Sequence, residues 1–252
     1  MAAGHLVIVP GHGIWRGTNK GEASEDWLLE PFQVEGHDHL YFIKHIETAL
    51  RLADDDSEAI VMFSGGQTKR QAGCMSEAQS YYLLARELVN ELELRNLDES
   101  LERCHTEEYA RDSFENVLFS IARFKEITGS YPERITIPGF EFKRERFMNH
   151  HFKALQFDLN NVTYIGLGPK PDYDEQSTQW LKYFDDLKKA EYKNAVSQFT
   201  KDPLGNGPVL GSKKKNRNPF NRQHGYLISC PELQPLFGDS EGLDAYTPPW
   251  TK

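Results

Sequence analysis

Three short apolar runs end at glycine, and side chains able to move protons or hold an anion stand just beyond them. Val7-Ile8-Val9-Pro10 leads into Gly11-His12-Gly13, Ile60-Val61-Met62-Phe63 into Ser64-Gly65-Gly66, and Ile135-Thr136-Ile137-Pro138 into Gly139-Phe140. Flanking glycines let the backbone turn tightly and offer its N–H groups to an anion, and the His12 imidazole can add a hydrogen bond or exchange a proton. Gly65 and Gly66 suit close approach of a ligand to the backbone. The segment QTKRQAGCMS behind them carries Lys69 and Arg70, placed to fold over a bound group. Ser64 lacks the G-x-S-x-G elbow and is not read as a nucleophile. Glu77, Glu108 and Asp112 are the candidate acids and bases, with Arg111 and Asn116 beside them as ligand-binding groups. After the third run come Lys143 and Arg146. Cations at a helix start oppose its dipole, a conflict that a bound anion removes, and a guanidinium grips phosphate or carboxylate through two parallel bonds. Arg217 and Arg222, in the basic run KKKNRNPFNR at 213–222, are read as an anion lid pinned by Phe220.

Each of these residues also has a plainer reading. A first-turn glutamate such as Glu77 can serve the helix dipole alone, and Asp112 with Glu115 spells a capping box. The run at 213–222 can be a solvated loop, a nucleic-acid contact or a nuclear-localisation patch. His37-Asp38-His39 and His150-His151 could supply metal ligands, but neither spacing keeps both rings on one side of a helix. HExxH is absent, so no metal site is expected.

The elements that must position these groups follow from hydrophobic periodicity. Buried strands are expected at 5–10, 60–63, 134–138 and 162–167, with a strand-like piece at Tyr226–Ser229. Helices are expected over 38–53 (apolar face Leu40, Ile43, Ile46 or His45, Leu50), from Ser76 through Leu84, Leu88, Leu92 and Arg95, from Asp112 with Phe114, Val117, Leu118, Ile121 and Phe124 inward, over 143–157 with Phe147 and His150 or His151 inward, and over 175–199. Residues 14–35 read as an ordered loop, and SLERCH (100–105) as a weak strand. The alternation predicts an α/β fold with a mostly parallel sheet covered on both faces, whose ligand crevice lies beyond the C-terminal strand ends. The expected division is one domain over 1–200 and an irregular extension over 201–252 packed on or near it.

With 38% hydrophobic residues the chain can bury a core, and a net charge of −9 argues against general polyanion binding, so nucleic acid is an unexpected partner. Cys74, Cys104 and Cys230 are far apart and odd in number, so no disulfide framework is expected. MAAGHLVIVPG has no basic leader and no segment reaches the length of a membrane span. The expected setting is the cytoplasm, with the nucleus as an alternative, and no membrane partner. The subunit count is not legible.

The ordered set IVPGHG, FSGG…SEA, E-x-x-A-R-D-S-x-E-N and F-K-R-E-R-F, over roughly residues 5–170, resembles the SanA/YdcF-like proteins. The resemblance implies a Rossmann-like three-layer sandwich and a domain without a settled reaction. It implies a helix-leading glutamate at Glu77 and a polar set at Glu108, Asp112, Ser113, Glu115 and Asn116. That family also has a histidine three residues before an arginine. Here Arg146 keeps the arginine while Lys143 stands for the histidine, so a proton-transfer role of that histidine is either lost here or moved to His12; an alternative register uses Glu141 and Arg144. The segment beyond about 175 departs from the small bacterial members.

Acid, base and charge stabiliser together predict a hydrolase of a small anionic, phosphate-like substrate. A non-catalytic module for a nucleotide-like ligand, S-adenosylmethionine included, is the alternative, and a nucleic-acid adaptor through 213–222 the third. No cofactor is specified.

Overall fold

In the computed structural model, which describes residues 4–238 and 243–251, five parallel strands form the central sheet. They are β1 (His5–Pro10), β4 (Ala59–Ser64), β5 (Cys104–Glu107), β6 (Arg134–Phe140) and β7 (Val162–Leu167), in the spatial order β5-β4-β1-β6-β7. β1 is central, pairing in parallel with β4 (Val7 opposite Val61) and with β6 (Leu6 opposite Ile135). The three glycine-ended strands are thus adjacent and parallel, as expected. A separate two-stranded ribbon joins β2 (Ile14–Trp15) to β3 (Trp27–Leu28).

The unbroken apolar run of β1 follows from burial on both faces. Leu6 and Ile8 join one core with Met62, Phe114 and Ile137, and Val7 and Val9 join the other with Phe42, Phe63 and Tyr81. The second core lies under α2 (Asp38–Asp55) and α3 (Glu77–Leu88), after the short α1 (Pro31–Glu35). The first lies under α5 (Ser113–Thr128) and the helical run 144–154, here α6. The architecture is the Rossmann-like three-layer sandwich. α3 begins where Ser76 Oγ accepts from Gln79 N (2.9 Å), and α5 where Asp112 Oδ1 accepts from Glu115 N (2.9 Å), both as expected. α5 ends at Gly129, whose φ of 79° is the left-handed conformation glycine adopts freely.

Several expectations are corrected. α2 buries the expected His45, Ile46 and Leu50 together with Phe42, Ala49 and Ala53, whereas Leu40 is exposed and Ile43 half-buried, so the apolar stripe is turned toward Phe42. α3 stops at Leu88, and Arg95 instead meets Asp54 and Asp55 in the last turn of α2. Part of SLERCH is the short helix α4 (Leu97–Glu102), and the strand starts only at Cys104. Tyr226–Ser229 is a helical turn, because only Tyr226 of its four residues is buried. The charged helix spans 178–201, here α7, and is followed by α8 (Pro208–Asn216). Beyond residue 200, Leu204, Leu210, Tyr226, Cys230, Leu233 and Leu236 enter the same core as the sheet. Among the described residues no helix is long and apolar enough to cross a membrane.

Candidate functional site

The chain builds the sheet outward from β1 through β4 and β5, then returns to the other side of β1 for β6 and β7. The C-terminal ends of β1 and β6 therefore flank the point where direction reverses, and connections on opposite faces leave a crevice there. His12 stands at the end of β1 and Lys143 just past β6. Lys143 Nζ lies 3.2 Å from His12 Nδ1 and over the rings of Phe140 and Phe142. The imidazole sits between Phe42 and Phe140. Its backbone is fixed by Tyr81 Oη, which accepts from His12 N (3.2 Å), and by Gln33 Nε2, which donates to His12 O (2.9 Å).

Burial and the adjacent ammonium hold the His12 imidazole well below its ordinary range. Burial, with Arg146 and Arg217 nearby, brings Lys143 down to about 7. The proton shared by the pair therefore resides on Lys143. Asp38, at the start of α2, is buried, and its side chain has no hydrogen bond among the described residues; its burial pushes it up to about 7. His12 and Glu108, both candidate proton-transfer groups, do not meet. The Glu108 carboxylate accepts from Ser76 Oγ (3.0 Å) and Thr106 Oγ1 (3.1 Å), on the β4–β5 side of the sheet.

The strand-end glycines admit a side chain of the protein itself. A Cβ on Gly11 would lie 2.6 Å from Glu77 Cβ and 2.8 Å from Glu77 Oε2, and one on Gly65 would lie 2.7 Å from Glu77 Oε2. Glu77, whose Oε1 accepts from Thr68, thus crosses both strand ends, and burial raises its carboxyl. Gly11→Ala is expected to destabilise the fold by about 1–3 kcal/mol, since Glu77 Cβ belongs to the first turn of α3 and gives way only with its backbone. Urea denaturation at the parent's stability would show that Glu77 does not occupy this place.

Ser64 is fully buried and holds Glu107: Ser64 Oγ donates to Glu107 Oε2 (2.9 Å), and Asn116 Nδ2 donates to Ser64 O (2.9 Å). Tyr109 N (2.8 Å), Ala110 N (3.2 Å) and Tyr226 Oη (3.1 Å) complete the donors to the Glu107 carboxylate, whose burial raises it to about 7. Ser64 and Asn116 are therefore engaged in the sheet-to-helix junction rather than in ligand contact. Sequence reading chose Glu108 and missed Glu107, the buried last residue of β5, because the local pattern does not separate the two.

The predicted cations separate into two groups. Lys69 pairs with Glu30, Arg70 donates to Pro219 O (2.9 Å), Arg111 clamps Glu115 through Nε (2.9 Å) and Nη2 (2.6 Å), and Arg222 donates to Glu108 O (3.0 Å) while lying over Tyr109. Phe220 pins nothing to the core: it is exposed, with Arg70 above it. Lys143, Arg146 and Arg217 instead line a cavity of about 860 Å³ between the sheet ends, α7 and α8. Asp112 and Ser113 form part of its wall, as does Asp38. Gly11, Gly13, Gly66, Glu77 and Glu108 are outside that lining, and His12 lies behind Lys143. Arg146 Nε is 3.0 Å from Glu191 Oε1. Arg217 donates to Arg111 O (3.0 Å), and Lys213, a further wall residue, donates to Asn194 O (2.8 Å).

Lys214, one position on, points inward. Its Nζ donates to Asn206 Oδ1 (2.9 Å) and Leu204 O (3.1 Å) and lies 3.3 Å from Glu115 and 3.5 Å from Asp112. A lysine inside a run of lysines carries no sequence mark of burial. Among the described residues no three His, Cys, Asp or Glu side chains are arranged to hold a metal ion.

The fold and the crevice at its strand reversal define a Rossmann-like α/β protein with a small-molecule-sized cavity. Over 268 aligned positions the chain is 42% identical to the uncharacterized protein YOR238W of Saccharomyces cerevisiae, covering 90% of this chain and 88% of the yeast protein. The chain belongs to the family of that yeast protein. No family model matches it, and no solved structure matches it.

Proposed function

We propose that the protein is an enzyme that binds a small phosphate-bearing substrate in the cavity at the strand reversal and hydrolyses it. One observation carries the reading. Lys143, Lys213 and Arg217 converge on one cavity, and none has a carboxylate within 4.0 Å among the described residues. Arg146, beside them, is matched among the described residues by Glu191 alone. Burial, with repulsion from Arg217 and Arg146 added to it, lowers Lys213. A bound anion relieves that repulsion, and the volume falls in the range of small-molecule sites, roughly 300–1,000 Å³.

Lys143 supplies the proton chemistry. With its ammonium near neutrality in proton affinity and held by the neutral His12 ring, it can protonate a leaving oxygen. The motif resemblance to SanA/YdcF-like proteins belongs to the same reading, with Lys143 in the histidine's place. Inward use of the 213–222 cations favours a small anion over a polyanion, and the cytoplasm is the proposed setting.

Titration calorimetry with inorganic phosphate, pyrophosphate and simple phosphate monoesters tests this. The parent is expected to bind at least one of them, with Arg217→Ala weakening it about tenfold. Arg146→Lys keeps the charge but loses the two-pronged geometry and is expected to weaken it as well. No binding across the panel, or affinities unchanged in both variants, overturns the reading.

A further inference from the structure

Ser113 is the first residue of α5 and forms part of the cavity wall. Its Oγ lies 2.8 Å from His151 Nε2. His151 is wholly buried in α6 and ends a π-helical turn, Phe147–His151, a distortion that recurs at functional sites. We propose that Ser113 is a nucleophile with His151 as its base, and that it takes the phosphoryl group from the substrate. This rests on the reading of the cavity as a phosphate-ester site.

The arrangement meets the requirements of an activated hydroxyl. The nucleophile faces the cavity while the base sits behind it in the protein. His151 Nδ1 is buried without a hydrogen-bond partner, and the ring packs against Phe114, Phe147 and Phe199, all near perpendicular to it. Aromatic faces tolerate an N–H through weak N–H···π contact but give a bare lone pair nothing. The tautomer with hydrogen on Nδ1 is therefore favoured, which leaves Nε2 as the acceptor of the Ser113 hydroxyl proton. Burial also holds this imidazole well below its ordinary range, so the ring is neutral in the resting site. In the first turn of α5, the N–H groups of Ser113 and Phe114 have no acceptor among the described residues and face the same end of the helix. Asp112, the neighbour of Ser113, is an opposing charge, and Lys214 stands against it; Glu35, Asp38, Asp186 and Glu191 line the same cavity, where Glu191 is paired with Arg146.

The steps balance. Ser113 Oγ attacks phosphorus, its proton passes to His151 Nε2, and an Oγ–P bond forms. The ester P–O bond breaks, and the leaving alkoxide takes a proton from Lys143. Water then attacks the phosphoserine and gives a proton to the Lys143 amine. Phosphate leaves as Ser113 Oγ regains its proton from His151.

A fluorophosphonate probe, which phosphonylates activated serines, tests the pair on the full chain. One equivalent is expected on Ser113, located by peptide mass spectrometry, none on Ser113→Ala, and a rate at least a hundredfold lower in His151→Gln. No label on Ser113, or labelling indifferent to His151→Gln, overturns the proposal. Because His151 is buried, Ser113→Cys provides a second measurement: its thiol is expected to react with iodoacetamide faster than exposed Cys74, and equal or slower reaction also counts against the pair. If Ser113→Ala hydrolyses phosphate monoesters at the parent rate, the nucleophile falls and the hydrolase reading stands. A labelled parent that neither binds nor turns over any phosphate ester supports the nucleophile and overturns that substrate class.

Discussion

Lys214→Met is expected to cost the fold about 3–5 kcal/mol, since removing one member of a buried ionic set leaves charge without compensation. Its ammonium is 4% exposed as a residue and stands between Asp112 and Glu115, both almost wholly buried at the start of α5. Methionine keeps the stem and its packing, so the loss isolates the charge. Arg111 still answers Glu115, which places most of the damage on Asp112, already raised by burial. Lys214→Met with Asp112→Asn is therefore expected to recover part of the loss, because asparagine caps as well as aspartate. Equilibrium unfolding in urea measures both. A single-variant loss below about 1 kcal/mol would show that water, rather than Lys214, balances these carboxylates.

Lys143→Gln is expected to lower turnover of a phosphate monoester by about a hundredfold or more, the usual share of a positioned acid. The parent is expected to lose activity as pH rises through about 7, where the Lys143 ammonium gives up its proton, and the variant is expected to lack that limb. Stability shows the same group with a definite sign. Between about 7 and an unfolded value near 10.4, the unfolded chain holds a proton that folded Lys143 has released, so the parent gains stability with rising pH. Lys143→Gln loses that gain. Asp38, raised to about 7, acts in the opposite sense and below that pH, so the alkaline window belongs to the lysine. His12→Ala is expected to lower turnover also, by freeing the ammonium from its acceptor, while His12→Asn retains part of the rate. A pH–rate profile and unfolding free energies at pH 7 and pH 9 measure these effects; a parent profile flat across pH 7 would retire Lys143 as the acid.

The legible parts of the molecule are those where local pattern and tertiary role coincide. β1, β4 and β6 are apolar on both faces because both faces are covered, so each run announced its own place in the sheet. Ser76 and Asp112 were readable because capping is decided within four residues. Glu107 and Lys214 were hidden because their partners lie far along the chain, and nothing local separates Glu107 from Glu108 or Lys214 from Lys213. Ser113 and His151 are 38 positions apart and meet only through the packing of α5 on α6. His12 was found from its glycines for a reason other than ligand approach: Gly11 makes room for Glu77.

Tyr226 donates to Glu107 from 119 residues further along the chain. At the usual pace of synthesis, about 5–20 residues per second, that separation is roughly 6–24 s during which β4 and β5 exist without the phenol that completes their buried acid. Lys214 arrives almost as late for Asp112 and Glu115. The nascent sheet therefore waits with both its ionic interior and one apolar core unfinished, since Leu204, Leu210 and Leu233 arrive in the same stretch, in the interval when a chaperone that holds open chains has most to bind.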